Sequence, residues 1–349
     1  MDLKVQNKYS LIELVYGSLF FFVHLAIELV CYTLLYIKFN SNISTLVVII
    51  YDFFAFVPQA LIGDFHNKHK TMNIGIIGVL CFVLSLILIN SQNQFLFYLS
   101  LFSLSIGNAI LHEAGAIATI SVSERHIFPS ALFVSGGVFG ILISRFLAVA
   151  NISIYWLLIP IIFILAVVCL TTKDWCKEDI AYTEFDIVKD VSKASFVLVV
   201  ALVVVATRSF LGCILPIGWR KTMFDLVLLY FSLGIGKAVG GLLCDIYGYK
   251  FVTIISTLVC IPFIILGNYN MLLSLIGILL FSMNMSITYA LALNVYKQNP
   301  GVAFGITTIG LFIGVLPMFF VKIGFNMAVV VLVGLSVLCY ILLRKVIVK

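Results

Sequence analysis

Nine ionisable side chains fall inside long apolar runs: His24, Glu28, Asp52, His112, Glu113, Arg145, Arg208, Asp225 and Lys237. A charge at mid-bilayer costs roughly 2.5–3.5 kcal/mol on insertion scales, so such groups mark a solute or ion pathway by default. At a helical rise of 1.5 Å per residue, His112, Glu113 and Lys237 lie roughly 12 Å from the cytoplasmic ends of their segments, and Asp52, His24 and Arg208 roughly 18–21 Å. Glu28 and Arg145 lie about 25 Å deep and Asp225 roughly 30 Å. Groups of equal depth are expected to pair, Glu113 with Lys237 and Arg145 with Glu28 or Asp225. Arg208 carries a permanent, forked guanidinium, which suits a carboxylate or phosphate on a solute; the alternative is packing against Asp52 or Glu28. His24 either binds solute or carries a proton near neutral pH, or it is a neutral, hydrogen-bonded core histidine. Burial makes Glu113 a candidate proton carrier.

His112-Glu113 begins the metallopeptidase pattern H-E-x-x-H, but position 116 is Ala, so a zinc peptidase is unsupported. The eight cysteines show no C-x-x-C spacing and read as small apolar core residues. The sequence indicates no metal site, no cofactor and no catalytic constellation, and the chain is read as a non-enzyme.

These groups need elements that hold them in lipid. Of 349 residues, 63% are hydrophobic and 10% charged, whereas soluble domains run near 45–50% and 25%. A span needs about 20 mostly apolar residues. Runs of that kind occupy 11–37, 43–64, 71–90, 94–119, 127–150, 153–171, 194–217, 223–244, 250–267, 270–294, 300–321 and 325–343. Each is expected to be a helix, because every backbone N–H and C=O must be bonded within its own segment. The first run is too long for the core of a cleaved signal and is read as a retained span. The polar stretch 172–193 is read as a cytoplasmic linker with room for one interfacial amphipathic helix. It divides an N-terminal six-helix bundle (1–171) from a C-terminal one (194–349).

The net charge is +6, yet the basic residues sit in short loops with no basic patch for nucleic acid. With the N-terminus inside, the external loops hold only Lys38, Arg220, Lys221 and Lys322. This inside bias puts both termini in the cytoplasm.

The two halves repeat one turn. Ala60-Leu-Ile-Gly-Asp64-Phe-His-Asn-Lys-His69 follows the second run, and Gly241-Leu-Leu-Cys-Asp245-Ile-Tyr-Gly-Tyr-Lys250 follows the eighth. The second copy resembles the signature loop of the major facilitator superfamily, G-x-x-x-D-x-x-G-x-K/R, with Gly241, Asp245, Gly248 and Lys250 in place. The first keeps Asp64 and His69, with Ala60 and Asn67 at the glycine positions. The fourth run lacks the basic residue the family often carries, and the fifth keeps Gly136, Gly137 and Gly140 without the antiporter proline.

The resemblance implies an all-α fold of twelve transmembrane helices in two pseudo-symmetric six-helix bundles around a central cavity. Asp64 and Asp245 would latch the halves in one conformation. The fifth span would lie beside the eighth, favouring Asp225 as the partner of Arg145. The implied function is secondary active transport of a small polar or anionic solute by a monomer, with protons as a possible coupling ion and the bacterial inner membrane as the site. Efflux of amphipathic compounds and a non-transporting sensor or assembly partner are the alternatives.

Overall fold

A computed structural model describes residues 9–39, 45–150, 153–180, 182, 185, 187–188 and 191–348. The helices are α1 (Leu11–Lys38), α2 (Thr45–Phe56), α3 (Gln59–Lys68), α4 (Ile74–Leu88), α5 (Gln94–Ser121), α6 (Phe128–Val149), α7 (Ile154–Thr171) and α8 (Ala194–Ile214). They continue with α9 (Met223–Tyr247), α10 (Tyr249–Ile254), α11 (Cys260–Gly267), α12 (Met271–Ser282), α13 (Met285–Val295), α14 (Pro300–Val315) and α15 (Phe325–Val346). Eleven helices, counting collinear pairs as one, are long and apolar enough to cross a membrane, and the shorter apolar α4 is the twelfth. The chain is an integral, multi-pass membrane protein, and no strand occurs among the described residues.

Local chemistry sets the ends. Ser10 and Glu13 form a capping box on α1, and Asn73, Asn93, Asn270 and Asn299 accept from first-turn N–H groups of α4, α5, α12 and α14. Each supplies an acceptor to a donor that has no partner in its own helix. Breaks sit where the backbone is denied a bond. The second span divides at Val57–Pro58, and the ninth widens into a π turn, Ile255–Val259, just ahead of Pro262. Proline lacks the N–H and its ring crowds the preceding turn, which a wider turn relieves. Gly248, between α9 and α10, has φ 85°, a left-handed conformation that glycine adopts without penalty.

Between these helices, small residues set the spacing. A Cβ on Gly136 or Gly140 of α6 would overlap the carbonyl oxygens of Phe21 and Leu25, so α1 and α6 lie backbone to backbone. Large apolar side chains such as Trp156, Phe163 and Leu61 are exposed on the perimeter, where lipid is the solvent. The stretch 172–193 carries two short 3-10 turns, Lys173–Trp175 and Val191–Lys193, and no α-helix among its described residues. Residues 181, 183, 184, 186, 189 and 190 lie outside the described set. Of the residues described there, Phe185, Ile187 and Val188 are buried, Val188 forms an isolated bridge with Ile347, and Val348 N–H donates to Ile187 O. All three side chains join the main apolar cluster of the molecule.

The halves meet along α6 with α9 and along α3 with α14. At the end of the molecule that carries the repeated turns, Gly63 lies against Gly301, Gly305 against Ala60, and Gly241 against Ala131.

Candidate functional site

His24 and Glu28 sit one turn apart on α1, and His112 faces them from α5. His24 Nε2 lies 2.7 Å from His112 Nε2. One carboxylate oxygen, Glu28 Oε1, lies 3.2 Å from His112 Nε2 and 3.7 Å from His24 Nε2. All three side chains are buried. His24 Nδ1 is 2.9 Å from Phe133 O, and His112 Nδ1 is 2.9 Å from Asn108 O. A carbonyl only accepts, so both Nδ1 atoms carry hydrogen, and both Nε2 atoms turn to the shared centre. Gly137 of α6 closes one side; a Cβ there would overlap His24 Nε2.

A second cluster lies in the C-terminal half. Arg208 of α8 is 7% exposed and stacks on Phe281, its guanidinium carbon 3.4 Å from the ring centroid. One nitrogen, Nη2, donates to Phe281 O at 2.6 Å, while Nε and Nη1 have no hydrogen-bond partner among the described residues. Arg208 and Lys237 line one cavity of about 140 Å³ together with Ser209, Ser282, Asn284 and Thr288, and among the described residues no carboxylate lines it. Lys237 extends from α9 toward the boundary between halves, where Ala131 and Val134 of α6 also line a small gap beside it.

Three expected pairings do not form. Glu113 does not meet Lys237: it is fully buried, both its oxygens lack a hydrogen-bond partner among the described residues, and it faces the first turn of α14 beside Gly301. Arg145 meets neither Glu28 nor Asp225; its guanidinium lies 5.3 Å from the Tyr36 ring centroid and 5.9 Å from that of Tyr230. Glu28 is taken by the two histidines. Asp225 is the N3 residue of a capping box with Thr222, accepting from the N–H groups of Lys221 and Thr222. Arg208, stacked on Phe281, likewise makes neither alternative contact; Asp52 is buried on α2 in the other half.

The repeated turns differ. Asp245 accepts from Ile127 N–H at 2.9 Å and Phe128 N–H at 3.0 Å, capping α6 across the boundary between halves. Tyr9 O–H donates to the same carboxylate at 3.1 Å. Asp64 is half-exposed and pairs with Lys68 one turn on, at 2.6 Å. Its counterpart target, the N-terminus of α14, is already capped by Asn299. Gly241 packs on Ala131, and Lys250 is exposed in the first turn of α10.

Several participants carry no sequence signal beyond residue type. Glu13, wholly buried, accepts from Glu124 N–H at 2.7 Å and lies 2.9 Å from His126 Nδ1, tying α1 to the loop before α6. Burial, and then the Asp245 charge, hold the Tyr9 phenol well above its ordinary pKa, so it acts as a donor. Tyr36 and Tyr230 around Arg145 could have been found only as aromatics at the depth of a cation.

No family model and no curated protein matches the sequence. Solved structures match along almost the whole chain. The human organic anion transporter MFSD10 (TETRAN) superposes with a TM-score of 0.70 at 12% identity, covering 94% of this chain and 99% of that one. The E. coli fucose:proton symporter FucP superposes at 0.65 and 15% identity, covering 95% and 97%. A major facilitator superfamily transporter described as FucP in the outward conformation gives 0.63 at 16% identity, with 95% and 97% covered. The protein has the fold of the major facilitator superfamily.

Proposed function

We propose that this protein is a secondary active transporter that moves a small anionic solute by alternating access and binds it between Arg208 and Lys237. The observation that carries this reading is one acid-free cavity lined by two cationic side chains. A buried charge is costly unless paired, and a carboxylate or phosphate group would pair both while using the free Nε and Nη1 of Arg208. Ser209, Ser282, Asn284 and Thr288 offer hydroxyl and amide contacts for the rest of the solute. The fold supports the transport mode, and one structural neighbour is itself described as an organic anion transporter.

In this reading the linker 172–193 joins two rocking halves, and the end bearing Asp64 and Asp245 is cytoplasmic. Both termini are then inside, in a bacterial inner membrane. The contacts at Gly63–Gly301, Gly305–Ala60 and Asp245–Phe128 close the cytoplasmic side in the present conformation.

Thermal unfolding of the detergent-purified protein against small carboxylates and inorganic phosphate tests the binding claim. A ligand at 100 times its dissociation constant stabilises the native state by about 2.7 kcal/mol. A stabilising anion whose effect is lost in Arg208→Ala and in Lys237→Ala is expected. Stabilisation by hydrophobic cations alone would overturn the reading in favour of efflux.

A further inference from the structure

We propose that His24, Glu28 and His112 form a binding site for a divalent first-row transition-metal ion, of the two-imidazole, one-carboxylate type. The site lies in the N-terminal half, on α1 and α5, and shares no lining residue with the anion cavity around Arg208 and Lys237.

The three donor atoms form a triangle with sides of 2.7, 3.2 and 3.7 Å. The circle through them has a radius of about 1.9 Å, so a point about 0.8 Å off their plane is about 2.05 Å from all three, within the range of zinc–imidazole and zinc–carboxylate bonds. The angles at that point are about 82°, 103° and 129°, one pinched, one close to and one wider than the tetrahedral value that zinc prefers. The site therefore takes a metal with almost no movement of its ligands; relaxing the pinched angle needs only a small separation of the two rings, which stand 83° apart.

The surroundings agree. Each ring is fixed by its Nδ1–H on a backbone carbonyl, Phe133 O for His24 and Asn108 O for His112. That is the outer contact that orients metal-binding histidines and leaves Nε2 bare for the ion. With both rings neutral, two imidazole lone pairs would face each other at 2.7 Å beside a carboxylate oxygen, so the centre calls for a positive species, and three convergent donor atoms suit a metal ion as well as a proton. Imidazole nitrogen with one carboxylate suits zinc, iron or cobalt, and leaves coordination positions for solute or water. Gly137 supplies the space beside His24 Nε2.

The test is a titration of the full-length, chelator-stripped protein in detergent with Co²⁺, followed by visible ligand-field absorption and then by Zn²⁺ competition. One equivalent of Co²⁺ is expected to produce bands that Zn²⁺ abolishes. His112→Gln and Glu28→Gln are expected to weaken binding by about 100-fold, and Gly137→Ala, which crowds the ion, by about 10-fold or more. Absence of bands, or bands that survive in His24→Gln/His112→Gln, would overturn the proposal. If the substituted proteins do not fold, X-ray absorption of the Co²⁺-loaded wild type decides: two imidazole nitrogens support the site, and none or one refutes it. None of these readouts depends on transport, so failure here leaves the anion reading standing, and the converse holds.

Discussion

The carboxylate of Asp245 receives the backbone N–H of Phe128 at 3.0 Å, and so closes a helix in the opposite half of the molecule. The N-cap residue of α6 is Ile127, which has no acceptor to offer its own first turn. The cap comes instead from α9, where negative charge meets the positive end of the helix macrodipole. The homologous position Asp64 has no such task, because Asn299 caps α14 from within. The latch at this end is therefore one-sided. Removing Asp245 leaves two backbone donors unsatisfied in a half-buried place, a loss of about 1–3 kcal/mol. Asp245→Ala should expose the neighbouring Cys244, which is 2% accessible, and speed its modification by maleimide about ten-fold or more, read by peptide mass spectrometry. Asp64→Ala, which removes only a surface pair worth about 0.5 kcal/mol, should leave the rate almost unchanged. Equal effects would remove the asymmetry from the account.

Tyr9 strengthens the same latch through its hydroxyl, 3.1 Å from Asp245. Its pKa is raised by burial and by the Asp245 charge. A group whose folded pKa lies above its unfolded value contributes fully below the unfolded pKa, about 10 for tyrosine, and loses that contribution as pH climbs through the folded value. Tyr9→Phe should therefore cost about 1 kcal/mol, and the gap from wild type should stay flat between about pH 7 and 9. Unfolding measured from about pH 7 to 11 checks this: the gap should narrow only above about pH 10, and a gap that stays flat there would place the phenol at its ordinary value.

On the other side of the boundary, glycine contacts take the place of the carboxylate. A side chain on Gly305 would overlap the backbone of Ala60, and one on Gly301 would overlap little less against Gly63. Gly305→Ala should strain the closed contact by about 1–3 kcal/mol and shift the population toward opening at that end. Distance distributions between spin labels on α3 and α14 should gain a longer component. An unchanged distribution would mean that α3 and α14 separate in no step of the cycle.

At the far end of α6, Arg145 faces Tyr36 of α1 and Tyr230 of α9, one ring from each half. Cation–π attraction is worth about 0.5–2 kcal/mol and needs a ring face, not a hydroxyl. Tyr230→Phe, which loses a hydroxyl that pairs with the guanidinium but keeps the ring, should loosen this end by less than Tyr230→Leu and Arg145→Ala, which should cost about that amount. Accessibility of single cysteines introduced beside Tyr36 reads the difference; a Tyr230→Phe effect as large as that of leucine would show a hydrogen bond to be the operative contact.

The twelve apolar segments were plain in the sequence, because lipid admits only long, self-satisfied helices. Their interruptions were written there too, as Pro58 and Pro262. So was the role of Asp225: Thr222 three residues before it is a capping-box spacing, a local signal that outweighs equal depth and the neighbouring spans as a guide to its partner. Depth orders groups along the membrane normal and says nothing of which face of a helix they occupy, so Glu113 and Lys237 share a level without meeting. His24, Glu28 and His112 each stood out as an ionisable residue in an apolar run. Their convergence did not, because it depends on α1 packing beside α5, a long-range choice made by the whole bundle. The pattern H-E-x-x-H places a second histidine at position 116 of the same helix; in the structure the imidazole beside His112 is His24, from another helix. The cavity around Arg208 is legible in part, since a buried guanidinium points to an anion, but equal depth points Lys237 at Glu113 and only the fold sets it on the same cavity as Arg208.

The central claim, transport of a small anion held by Arg208 and Lys237, is tested most directly by uptake into proteoliposomes. The purified protein would be reconstituted and offered radiolabelled small carboxylates and phosphate, one at a time. The account predicts saturable uptake of at least one anion, competed by the unlabelled compound and reduced at least about ten-fold in Arg208→Ala and in Lys237→Ala, a loss of about 1.4 kcal/mol. Anion uptake that survives both substitutions, or flux confined to amphipathic cations, would contradict it.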